Sequence, residues 1–65
     1  MVVVARVVWQ EEPERWENGD SAGVDADSRL LIRSDSGEVI DAIDAGDWID
    51  ARVDDGPIIR PLQAF

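Results

Sequence analysis

The first run of the chain, Val2-Val3-Val4-Ala5-Arg6-Val7-Val8-Trp9, is apolar at positions 3, 5, 7 and 9 and places Arg6 between them. A period of two lays one side of an extended chain against a core and leaves the other partly in water. β-Branched side chains suit that geometry, so a strand is predicted over 2–9. Trp9 continues the alternation and is expected in core or rim packing. Residues 10–21 are polar, contain Pro13, and hold an Asn18-Gly19 pair that favours a tight turn with positive φ. This stretch reads as a folded-over loop or irregular hairpin with Trp16 in its middle. Ala22, Val24 and Ala26 alternate in a second strand over 22–26, and Asp27-Ser28 forms a turn.

A third strand covers 29–34, with Leu30 and Ile32 on one face and Leu31 on the other. Ser34-Asp35-Ser36-Gly37 then makes a hairpin turn, with the glycine in the left-handed position. Residues 38–43 fit a strand or a short helix. Gly46 would end such a helix after about two turns, too short to stand unaided, so the strand is preferred. After the Ala45-Gly46-Asp47 turn, 48–53 alternate again, with Ile49, Ala51 and Val53 expected inward and Trp48 packed at the strand end. Short strands with turns roughly every eight residues predict an all-β domain, a small SH3-like barrel of about five strands. The barrel is expected over 1–56. Pro61 interrupts the apolar segment 57–65 and cannot donate to a central ladder, so this tail is expected as an edge strand or extended arm.

The run from Gly19 through Val24, Asp25 and Leu30 to Ile32 resembles the C-terminal domain of biotin protein ligases, where a comparable glycine-punctuated segment forms two adjacent strands of an SH3-like barrel. Ala45-Gly46-Asp47-Trp48-Ile49 is similar to the segment that enters the last strand there. The resemblance spans residues 19–49, with Ser28 where that family usually has a turn glycine. It implies a fold. The ligase catalytic domain, with its adenylate loop, has no counterpart in this sequence, so no ligase residue is carried over. In SH3-like barrels the loop corresponding to 10–21 often lines a peptide groove, which by analogy makes Trp16 a binding candidate.

Composition narrows the chemistry. Sixty-five residues form at most one domain, near the lower size limit for a single core, with no cysteine to staple it. Histidine, cysteine, lysine and tyrosine are all absent, and no nucleophile elbow or phosphate-cradling glycine loop occurs. The expectation is a protein that is not an enzyme and uses no cofactor. Asp25-x-Asp27 and Asp35-Ser36-Gly37-Glu38 offer oxygen ligands without the spacing of a calcium loop, so they read as solvated turns and no metal is expected.

Fifteen acidic residues against six arginines give a net charge of −9. That charge disfavours nucleic-acid backbones and anionic membrane surfaces as direct partners. The lack of lysine favours background adaptation, to a high-salt cytoplasm or a GC-rich genome, over a functional use of the acidity. Asp41, Asp44, Asp47 and Asp50 recur every third residue, a spacing that alternates faces on a strand and so predicts no single acidic stripe.

The opening apolar run is too short to span a bilayer and lacks the basic start of a signal peptide, so a cytoplasmic location, or one inside a virus particle, is expected. The functional expectation is an interaction or structural accessory module that docks on another protein or on copies of itself. Its contacts are expected at Trp16 and at Ile58, Ile59, Arg60, Leu62 and Phe65 of the tail. The alternative is an acidic inhibitor or nucleic-acid mimic that occupies a basic site on a partner protein.

Overall fold

The computed structural model describes residues 1–61, and all the regular elements within them are strands. They are β1 (Val3–Val7), β2 (Glu14–Trp16), β3 (Ser21–Val24), β4 (Leu30–Arg33), β5 (Val39–Ile43) and β6 (Trp48–Val53). The all-β class is that read from the alternation. The strands pair antiparallel in two three-stranded sheets, ordered β2-β1-β6 and β3-β4-β5. Both features depart from the expected barrel: there are six strands, not about five, and the two sheets are not closed on each other. The extra strand is β2, whose three residues pair through Val3↔Trp16, Val4↔Arg15 and Ala5↔Glu14. A strand that short carries too few positions for an alternation to register in the sequence.

The core lies between the sheets. Val3, Ala5 and Val7 of β1 meet Leu30 and Ile32 of β4, Ile43 of β5, and Trp48 and Ala51 of β6, all buried. Trp48 ties the two layers together, since its indole Nε1–H donates to the Ser28 carbonyl at 2.9 Å. The alternation of β1 is as expected, but that of β6 is not. Between Arg6↔Asp50 and Val7↔Trp48 the register shifts by one residue, and Ile49, expected inward, is the extra residue and stands 46% exposed. A bulge of this kind puts two residues opposite one, so Trp48 enters the core and Ile49 is turned out.

Two turns show what their residues are for. Gly37 takes the left-handed backbone, φ 87°, as the hairpin required. Gly19 does not. Its φ is not positive; it is buried, its N–H donates to the Trp16 carbonyl at 3.1 Å, and it is a glycine because β1 and β4 crowd it. Ser28 adopts φ 62°, the conformation a glycine at that place would take without strain.

The turn at Ser28 is held by Asp25. Its Oδ1 accepts from the backbone N–H groups of Asp27 and Arg29, both at 2.9 Å, and its Oδ2 accepts from Arg29 Nε at 2.9 Å. The Arg29 backbone N–H above all, with the Arg29 guanidinium and the Asp27 N–H, holds the Asp25 carboxyl below the usual carboxylate range against the opposing effect of desolvation. A carboxyl lowered on folding stabilises the native state above its unfolded value, about 3.9, and loses that contribution as pH falls through the folded value. Asp25→Asn is therefore expected to lower the urea midpoint at pH 7, with the gap to the parent narrowing as pH falls below the unfolded value of about 3.9. An equal gap at pH 7 and pH 2.5 would contradict this account of the turn.

Candidate interaction groove

β2 is the outer strand of one sheet and β5 the outer strand of the other, and neither has a ladder partner on its free edge among the described residues. No backbone pairing joins these two edges among the described residues. A side-chain bond spans them: Trp16 Nε1–H donates to Asp41 Oδ2 at 2.9 Å, while Asp41 Oδ1 accepts from the Ala42 N–H at 2.8 Å. Trp16 is thus half-buried, with its ring packed against the core cluster and its polar edge fixed. The seam opens into a cavity of about 340 Å³ lined by Trp9, Glu14, Trp16, Asp41, Asp44 and Asp47, with Ala42 and Ile43 at the end of β5. Trp9 was expected in core or rim packing; it lies just past β1, 56% exposed, on the cavity's rim.

The acidic series follows a different rule from the one its spacing suggested. Asp41 ends up beside Asp44 and Asp47 because the chain turns between them, with Asp47 N–H donating to the Asp44 carbonyl at 3.0 Å. Three of the four members therefore line one groove without any helix. The fourth, Asp50, faces elsewhere and pairs with Arg6. Among the described residues no arginine lies within ion-pair distance of Glu14, Asp41, Asp44 or Asp47. The groove thus combines negative charge, offset at Asp44 only through the more distant guanidinium of Arg29, with two indole surfaces. Such rings attract cations through the negative face of the π system. No group of three or more potential ligands among the described residues is placed to hold a metal ion.

A second surface lies on the outer face of the first sheet. Cross-strand partners share a face, and Val4↔Arg15, Val4↔Arg52 and Arg6↔Asp50 form adjacent rows there. Arg6 Nε donates to Asp50 Oδ1 at 2.9 Å and its Nη2 to Oδ2. That forked bond holds the Asp50 carboxyl below its usual range, and the positive charges of Arg60 and Arg52 add to the effect. Arg6 and Asp50, with Val4, Pro13, Arg52 and Ile58, line a cavity of about 230 Å³.

The tail reaches this second surface. Ile59 N–H donates to the Ala51 carbonyl at 2.7 Å, and the Ile59 carbonyl accepts from Ala51 N–H at 2.9 Å, which lays the segment along β6. Ile59 is half-buried against the core, Ile58 is 49% exposed, and Arg60 is exposed. Leu62 and Phe65 lie outside the described residues. The candidate residues are therefore not gathered in one place: Trp16 belongs to the acidic groove and Ile58 to the other cavity. Sequence reasoning missed Trp9, Glu14, Asp41, Asp44 and Asp47 as groove residues. The available signal was the Asp series straddling an Ala45-Gly46 turn, which brings charges together by reversing the chain.

No family model, curated protein or solved structure matches this chain. Among the described residues no helix is long and apolar enough to cross a membrane.

Proposed function

We propose that this protein is a non-catalytic interaction module whose acidic, tryptophan-lined groove docks an extended segment of another protein carrying arginine or lysine side chains. The observation that carries this reading is the pairing of two indole surfaces with four carboxylates, none of them in an ion pair with an arginine among the described residues, in a seam between two unpaired strand edges. Unpaired edges accept an extended chain through its backbone, and the cation–π and carboxylate contacts select its side chains. The tail and its neighbours form a second contact surface. The setting is cytoplasmic or within a virus particle, and the resemblance of residues 19–49 to the biotin protein ligase C-terminal domain accords with a fold used without that family's activity.

Titration of the full-length protein with a short arginine-rich peptide is expected to change tryptophan fluorescence, because Trp9 and Trp16 line the site. The same peptide with citrulline in place of arginine keeps the shape and loses the charge. It is expected to bind at least tenfold more weakly, a difference of about 1.4 kcal/mol, and Asp44→Asn is expected to weaken only the charged peptide. Equal binding of both peptides would rule the reading out.

The second reading, an acidic mimic of nucleic acid, is favoured by the alignment of Asp41, Asp44 and Asp47 along one groove. It requires that the partner's basic site also bind DNA or RNA. Excess duplex DNA then displaces this protein from its partner, whereas a peptide-docking module is not displaced.

A further inference from the structure

The net charge hides a segregation of charge over the surface. Four of the six arginines, Arg6, Arg15, Arg52 and Arg60, gather on or beside the outer face of the first sheet, where Arg6 is matched by Asp50. Arg15 has only a loose, exposed contact to Glu17 at 3.9 Å. Arg52 and Arg60 have no ion-pair partner among the described residues and stand exposed. Val4, Pro13 and Ile58 add apolar surface between them. The same molecule therefore carries an acidic, aromatic groove and a separate basic, partly apolar face, the two halves of a complementary contact.

We propose that these two surfaces dock on each other between copies, the Arg52 and Arg60 face of one molecule entering the Trp9 and Trp16 groove of the next. The proposal rests on the groove being a site for arginine side chains and names a second copy of this chain as an occupant. Charge complementarity is the argument for that occupant, because each surface supplies what the other lacks. The guanidinium groups of Arg52 and Arg60 meet carboxylates and indole faces, and Ile58 leaves water. The overall −9 on each copy opposes association at long range, but at about 0.15 M salt charges separated by more than about 8 Å are screened and contact-scale pairing decides. A contact between two different surfaces is heterologous, so it propagates into chains or closes into a ring rather than stopping at a twofold dimer.

The test is sedimentation of the full-length protein at about 0.15 M salt and up to about 1 mM. The parent is expected to associate with rising concentration beyond a dimer. Asp44→Arg spoils the groove and leaves the basic face; Arg52→Asp does the reverse. Each alone is expected to remain monomeric. An equimolar mixture is expected to form a dimer and stop there, since one intact groove meets one intact basic face. Trp9→Ala and Arg60→Glu, both at exposed positions, provide a second pair should a first-pair variant fail to fold by circular dichroism. A parent that stays monomeric throughout, a mixture that fails to dimerise, or a parent that stops at a symmetric dimer overturns the proposal. The groove reading is judged separately. If the arginine peptide binds but the parent stays monomeric, the groove stands and self-docking fails. If the peptide also dissolves the assembly, both hold.

Discussion

Trp48→Ala is expected to leave the chain unfolded at room temperature. Trp48 is 3% exposed, belongs to the core cluster, and supplies the hydrogen bond that ties β6 to the Ser28 turn of the opposite layer. Truncating a buried tryptophan to alanine costs about 3–5 kcal/mol through lost burial and the cavity left behind. A domain of this size has a total stability of only about 3–10 kcal/mol at the usual stability per residue, so the loss is comparable with the whole. Trp48→Phe separates the two contributions. It keeps most of the ring volume but removes the indole hydrogen bond to the Ser28 carbonyl, a contribution of about 0.5–1.5 kcal/mol. That variant is expected to fold with a lowered urea midpoint. A Trp48→Ala protein with a parental far-ultraviolet spectrum and midpoint would show that the core does not depend on this residue.

Gly19→Ala is expected to be the second most damaging change, although it adds a single methyl group. A Cβ there would lie 2.8 Å from Val3 Cγ2, 3.1 Å from Ile32 Cγ2 and 3.2 Å from Trp16 Cβ. Val3 and Ile32 are fully buried and branched at Cβ, so neither can swing its methyl aside without leaving its rotamer. Overpacking of this kind costs about 1–3 kcal/mol, which for a domain this small is a fall in Tm of roughly 5–20 °C. The strain also reaches Trp16, one wall of the groove, so binding of the arginine peptide is expected to weaken even at temperatures where the variant is folded. Gly23→Ala is the control, because a Cβ at that position meets nothing within 4 Å. Equal Tm shifts for the two substitutions would remove the packing explanation.

Much of the fold was legible in the pattern of apolar positions. β1 and β4 stand out because a strand with one buried face must alternate, and Val3, Ala5, Val7, Leu30 and Ile32 do so. Segment 38–43 was correctly a strand because the glycine at 46 denies a helix the length it needs. β2 was hidden because three residues in a polar stretch carry no period. Ile49 was misplaced because a one-residue bulge reverses the inward and outward sense of a strand, and a bulge is a property of two paired strands rather than of one run of sequence.

The candidate site divides the same way. Trp16 was marked out because no pattern accounted for an aromatic among acidic residues. Its companions were not, because Asp41, Asp44 and Asp47 meet only after a turn reverses the chain, and Trp9 joins them from the far end of β1. The tail showed its apolar character and its proline, but the edge on which Ile59 pairs belongs to β6. The sequence by itself determined the strand composition, the left-handed glycine at 37 and the excess of acid, since each follows from local backbone preference or simple counting. Tertiary structure alone decided that the sheets stay open, that Gly19 serves packing rather than turning, and that the charge separates into an acidic groove and an arginine face. Those outcomes depend on which strand edges and side-chain faces come together, and that is set by pairing across the whole chain.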